Sequence, residues 1–473
     1  MGRTNRKIQY MAGICAALCF MFTGATLSWS SPAIPKFKSG ESHINITDSQ
    51  CSWVVALLPV GAIPGCFLGH ILSEKVGRKK ALLFASVPAI LGATIIFWTR
   101  MPELMYFARF VIGLATGSTA VATMIYITEI SDKEIRGSLG MVVQVMNNLG
   151  SLLIYSLGPF VTYDVLNGIV LAISLIFLVA CSWIPESPYY YLKDEKLTKA
   201  RKEFMRLKGT KDVKDVEEEL HIIRIHVRES MENKTTYKEL LSNVRYRKTL
   251  GIVAVLKVLQ YMTGILAIQA YLEPIFRQSS SVSGPKASII YGFVQLAAGI
   301  VATFLARWLG RRVLMLSSCL GVGICLTLVG TFFFIKDYLV ANETIVASIS
   351  ALPLTGILGF VVFFSNGVGN IPYIMQAELF PINVKAQASS LATIFACVMS
   401  FLVTKCYHTV KDNFGHYTVF WSFASIAYFG IPFVYFFMPE TGNKTLEEVQ
   451  DDVQEQCLEQ QALNRDTDTP SRN

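Results

Sequence analysis

The chain is 473 residues long, 52% hydrophobic and only 16% charged, with a mean hydropathy of +0.44 and a net charge of +8. Soluble proteins of this size carry about a quarter charged residues, so the composition points to a membrane protein. The excess Lys and Arg crowd short segments between apolar runs, without interleaved aromatics, which argues against a nucleic-acid partner.

A membrane-crossing helix needs about 20 apolar residues, because roughly 30 Å of hydrocarbon is spanned at 1.5 Å per residue. The first candidate runs from Ile8 to about Trp29 behind Arg3, Arg6 and Lys7. It is too long for the apolar core of a signal peptide and ends without a small-residue cleavage site, so it is predicted as a span. Eleven more follow, near 52–72, 81–99, 104–127, 138–160, 165–185, 250–273, 286–306, 313–335, 346–371, 388–409 and 416–438. Ten cysteines occur; Cys15, Cys19, Cys66, Cys181, Cys319, Cys325 and Cys397 fall inside apolar stretches and no C-x-x-C pair is present, which reads as buried inert thiols.

Between spans six and seven, residues 192–248 are dense in charge with helical spacing of Leu, Ile and Phe, and read as a cytoplasmic helical linker. The expected class is an all-α membrane protein of twelve transmembrane helices in two six-helix halves. Its divisions are an N-terminal bundle at 1–191, the linker at 192–248, a C-terminal bundle at 249–440 and a tail at 441–473. Placing the N-terminus in the cytoplasm puts Lys75–Lys80, Lys133–Arg136, Arg307–Arg312 and Lys385 inside, as the positive-inside rule asks. The sequons at Asn45 and Asn342 then face outward and are open to glycosylation; those at Asn233 and Asn443 face inward.

The halves repeat one another. Glu129 and Arg136-Gly137 answer to Glu378 and Lys385-Ala386 with the same spacing, Gly77-Arg78-Lys79 to Gly310-Arg311-Arg312, and Pro185-Glu186 to Pro439-Glu440. Parallel six-span repeats suit two bundles that rock about a site near mid-membrane. Polar side chains predicted for that site are Gln144, Asn147 and Asn148 in span five, Gln260, Tyr261 and Gln269 in span seven, Gln295 in span eight, and Ser365, Asn366, Asn370 and Tyr373 in span ten. Amides and hydroxyls both donate and accept, which fits a neutral polyhydroxy ligand. The charges of the short loops read as gating groups: Glu74, Arg78, Arg109, Glu129, Arg136, Arg307, Arg311, Glu378 and Lys385. One exposed pair contributes only about 0.2–1 kcal/mol, so a gate needs several. Lys257 is a charge within span seven, where central placement costs roughly 2.5–3.5 kcal/mol.

These loop motifs, with Gly69-His70-Ile71-Leu72-Ser73-Glu74, Arg109-x-x-x-Gly113-x-x-x-Gly117, Pro185-Glu186-Ser187-Pro188, Glu378-Leu-Phe-Pro381 and Pro439-Glu440-Thr441, cover the chain from span two to the tail. In them the chain resembles the sugar porter family of the major facilitator superfamily and, within it, the insect facilitated trehalose transporters. The resemblance implies sugar transport by alternating access, a monomeric functional unit and no cofactor or metal, with Gln144 and Gln260 at the family's sugar-contacting glutamines. The family's proton symporters have an Asp in span one; Ile8–Trp29 holds no Asp, Glu or His, so uniport is expected. Other family contacts are changed: Tyr261 and Leu266 stand in span seven, Gln295 in span eight, Gly369-Asn370-Ile371-Pro372-Tyr373 in span ten and Ala396-Cys397 in span eleven. Arg307 stands where the family has an acid. A non-transporting sensor, or a transporter of another organic solute, is the alternative. No Walker lysine loop, HExxH or GxSxG occurs, so no enzyme is expected.

Overall fold

A computed structural model describes residues 6–42, 44–209, 213–232, 237–279, 282–339, 342–380 and 382–441. Among the described residues twelve helices are long and apolar enough to cross a membrane: Lys7–Lys38, Asp48–Lys75, Arg78–Trp98, Pro102–Ile130, Glu134–Leu157, Tyr163–Trp183, Tyr246–Ala270, Gly284–Ala306, Arg311–Tyr338, Thr344–Gln376, Gln387–Phe414 and His416–Phe437. No strand occurs among the described residues. The chain is a multi-pass membrane protein. Below, the near end is the one at which the first span starts, and the far end is the opposite one.

The first span runs past the expected stop at Trp29. Trp29 keeps helical dihedrals (φ −52°, ψ −36°), and the helix resumes as Ser30–Lys38. Pro32 falls in that first turn, where a missing N–H takes no bond from the helix. Spans seven and ten are broken. Val244–Met262 stops before Gly264, whose φ of +86° is open only to glycine without strain, and the chain resumes as Ile265–Ala270 and Leu272–Ser279. In span ten Leu352–Asn366 gives way to Ile371–Glu378 across Gly367–Asn370. Its freed amides are met locally: Gly369 N donates to Phe364 O at 2.7 Å and Val368 N to Ser318 Oγ at 3.0 Å.

In the first half, spans two and four pack backbone to backbone. A Cβ at Gly61, Gly65 or Gly69 would lie 2.0–2.5 Å from a carbonyl oxygen of Phe110, Leu114 or Ser118, so a small residue at every fourth position sets the approach. In the second half, a core of Phe332, Phe333, Phe360, Phe420 and Leu326 fills the far end. That core also takes in Ile34, Val55 and Tyr155 from the first half, so the two halves share packed surface there. Four helices, Pro188–Lys193, Leu197–Lys208, Val213–Glu232 and Tyr237–Ser242, bridge the halves in sequence.

Candidate functional site

The polar residues singled out in mid-span fall into two groups. On the first side, Gln144 is exposed between the halves and donates from Nε2 to Asn148 Oδ1 at 3.4 Å, while Asn148 Nδ2 donates to Gln295 O at 3.2 Å. Spans five and eight therefore meet through this chain. Gln295 Oε1 is buried and has no hydrogen-bond partner among the described residues, and the same holds for Asn366 Oδ1 in span ten.

On the second side, Gln260 is fully engaged. Its Oε1 accepts from Lys257 Nζ at 3.1 Å, and its Nε2 donates to Gly369 O at 2.7 Å, at the break of span ten. The Lys257 ammonium lies 3.3 Å from the centroid of the Tyr373 ring, and the Tyr261 and Tyr373 hydroxyls are 2.8 Å apart. Gln144 and Gln260, one from each half, belong to separate hydrogen-bond networks. The Gln269 backbone carbonyl accepts from Tyr155 OH at 3.2 Å toward the far end, and its side chain is buried.

At the near end the loop charges pair within each half. Arg78 grips Glu129 through Nε at 2.8 Å and Nη2 at 2.7 Å, reaches Glu74 at 3.4 Å and donates from Nη1 to Ser73 O at 2.9 Å. Lys193 pairs with Glu74 from the segment that follows span six. Glu186 caps the start of span three, Oε1 accepting from the Arg78 and Lys79 amides at 2.8 and 3.0 Å. The second half repeats this. Glu440 accepts from the Arg311 and Arg312 amides at 2.9 and 3.0 Å, Arg311 Nη1 donates to Ala306 O at 3.1 Å, and Arg311 pairs with Glu378 at 3.5 Å. A carboxylate at a helix N-terminus meets both orphan amides and the positive end of the dipole.

Two expected gating groups sit differently. Arg109 is buried in the far half of its bundle, donating to Val54 O and Thr26 O at 3.0 Å and to Ser30 Oγ at 3.3 Å, so it staples spans one, two and four together. Arg136 is exposed and its guanidinium reaches Ser131 O at 3.4 Å. The side chains of Arg307 and Lys385, and the sequons at Asn233 and Asn443, lie outside the described residues. Asn45 and Asn342 are exposed at the far end.

The far end joins the halves. Glu273 N donates to Ser31 Oγ at 3.0 Å, and Lys405 Nζ donates to Ser52 Oγ at 2.8 Å while lying 4.0 Å above the Trp53 ring. Burial pushes the Glu273 carboxyl above the usual carboxylate range, and Arg277 at 2.7 Å opposes it. A cavity of about 30 Å³, lined in part by Asp48, Tyr271, Tyr407 and His408, is the space left in this seam. Sequence reasoning missed these contacts because nothing in periodicity links residues so far apart. Glu186 and Glu440 were visible as a repeated Pro-Glu, but their capping role was not.

A family model described as sugar (and other) transporter matches residues 8–453. Facilitated trehalose transporters of Bombyx mori and Anopheles gambiae are each 32% identical to the chain, over 93% of its length. The chain spans 86% of the Bombyx protein but 55%, about half, of the Anopheles protein. Among solved structures, the inward-open form of the E. coli xylose transporter XylE aligns with a TM-score of 0.75 at 20% identity, covering 94% of this chain and 98% of that one. XylE bound to 6-bromo-6-deoxy-D-glucose gives the same TM-score and identity and covers 94% and 99%. These alignments show a shared fold.

Proposed function

The chain belongs to the sugar (and other) transporter family, and from that membership we propose that it moves a small neutral polyol, a sugar of the hexose or trehalose kind, by alternating-access facilitated diffusion. One observation carries the polyol reading. Side chains from both halves meet at mid-span, and two of their acceptors, Gln295 Oε1 and Asn366 Oδ1, are buried without partners among the described residues. Hydroxyl groups of a ligand supply the missing donors, and each unmet acceptor otherwise costs about 1–3 kcal/mol. Gln144, Gln260, Tyr261, Gln295, Asn366 and Tyr373 form this binding region. The far-end seam and the separate near-end pairs fit a form open at the near end.

In this reading the near end and both termini face the cytoplasm, the plasma membrane is the host, and the monomer is the working unit. The bundles are 1–191 and 249–440, with 192–248 as linker and 441–473 as tail. Near-end carboxylates and guanidiniums form the gate, and no covalent chemistry or cofactor is involved. The test is counterflow in liposomes holding the purified protein, with trehalose and glucose as cargo. Exchange of either supports transport; saturable binding with no flux of any solute overturns it in favour of a sensor.

A further inference from the structure

Lys257 is an ammonium in the middle of the site that the polyol reading leaves unused. It lies eleven residues into the seventh span (Tyr246–Ala270), about 17 Å from its start at 1.5 Å per residue, and cannot snorkel to either surface. The residue is 1% exposed. A buried cation is normally paired with a carboxylate. Among the described residues none approaches Lys257; its partners are Gln260 Oε1 at 3.1 Å and the Tyr373 ring at 3.3 Å. An ammonium has three N–H donors, and one neutral acceptor plus one ring face leaves it without a formal counter-charge.

The ring is also a lid. Tyr373 is 51% exposed, and it follows the break of span ten, where the helix restarts at Ile371. One face of the ring covers Lys257, and its hydroxyl is held to Tyr261 by a single hydrogen bond at 2.8 Å. With one face on the ammonium and half of its side chain exposed, the ring stands between Lys257 and open space. Gln260 already holds a mid-span carbonyl through its other end, so Lys257, Gln260 and Tyr373 act as one group.

We propose that this site takes polyols that carry one carboxylate, the uronate and aldonate class, and that Lys257 binds the carboxylate while the amides bind the hydroxyls. The proposal rests on the polyol reading of the central site and adds a charged group to the cargo. A carboxylate supplies the missing counter-charge and accepts two hydrogen bonds from a donor that no longer faces water, which a hydroxyl cannot match.

The test uses the full-length protein in nanodiscs at neutral pH, with D-glucuronate and D-glucose as probes and binding read by tryptophan fluorescence. The wild-type protein is expected to bind glucuronate at least tenfold more tightly than glucose. Lys257→Met should lower that ratio at least tenfold, and Lys257→Arg should keep it within threefold. A role in packing alone would change both affinities together and leave the ratio where it was. The proposal is overturned if wild type prefers glucose, if it binds neither probe, or if Lys257→Met leaves the ratio unchanged. Counterflow of trehalose run in parallel separates the two readings. Trehalose flux without a glucuronate preference removes the proposal and keeps the transporter; a Lys257-dependent preference without any flux does the reverse.

Discussion

At the scale of single residues, the amides of the central site differ in how free they are. Gln144 is exposed and holds only Asn148, whereas Gln260 is tied at both ends. Gln144→Leu should weaken cargo binding by about 1 kcal/mol, the usual contribution of one hydrogen bond. Gln260→Leu should weaken it more, because the Gly369 carbonyl and the Lys257 ammonium lose a partner together. Equilibrium binding, with surface expression as control, checks both; normal affinity in both variants places the site elsewhere. Arg109 answers to stability rather than transport. Its fork satisfies two carbonyls and a hydroxyl in a closed interior, so Arg109→Leu should lower stability by a few kcal/mol, at about 1–3 per stranded acceptor. Arg109→Lys should not rescue it, since one ammonium lacks the planar fork. Melting of the detergent-solubilised protein reads this directly.

At the scale of elements, the caps of the third and ninth spans explain two glycines. A Cβ at Gly77 would lie 2.5 Å from Glu186 Oε2, and one at Gly310 the same distance from Glu440 Oε2; Gly77 also holds φ +110°. Gly77→Ala therefore strains the backbone and expels the capping carboxylate, at a cost of about 1–3 kcal/mol. Gly310→Ala, with φ −61°, should cost less, because only the clash remains. Thermal midpoints of the two variants should rank in that order. Hydropathy made the twelve spans legible, since lipid imposes their length, and the repeated Gly-Arg and Pro-Glu pairs exposed the duplication. What stayed hidden was set by contacts between distant segments. The extension of span one past Trp29 depends on packing around Pro32 and Phe37 rather than on local propensity. Arg109 carries the same motif wherever its guanidinium points, so its place among carbonyls could not be read from spacing.

At the scale of the whole molecule, the far-end seam closes one face in this structure, and Glu273 is expected to couple that closure to pH. The carboxyl is buried in this form, and burial holds it above the usual carboxylate range against Arg277 on its own helix and Lys36 of the first half. Opening the far end returns it toward water and an ordinary affinity for protons. The closed form then binds the proton more tightly, so acid stabilises closure; the gain is full below the ordinary carboxylate range and is lost as pH rises through the raised value. His408 with Asp412 at 2.7 Å, and Lys38 with Asp48 at 2.6 Å, also lie at this end, so a variant must isolate the contribution. Spin labels at Asn45→Cys and Asn413→Cys, both exposed far-end positions, in a cysteine-depleted background report the separation of the halves. Lowering pH from neutral toward the ordinary carboxylate range should enrich the short distance, and Glu273→Gln should weaken that response while favouring the closed form at neutral pH. The same proton should not drive accumulation. Glu273 stands in the seam rather than on the cargo path, and the first span carries no acid or histidine between Ile8 and Trp29. An imposed proton gradient should therefore alter the exchange rate of liposomes but leave cargo at equal concentration on both sides. Uphill accumulation abolished by a protonophore would show that proton and cargo are coupled.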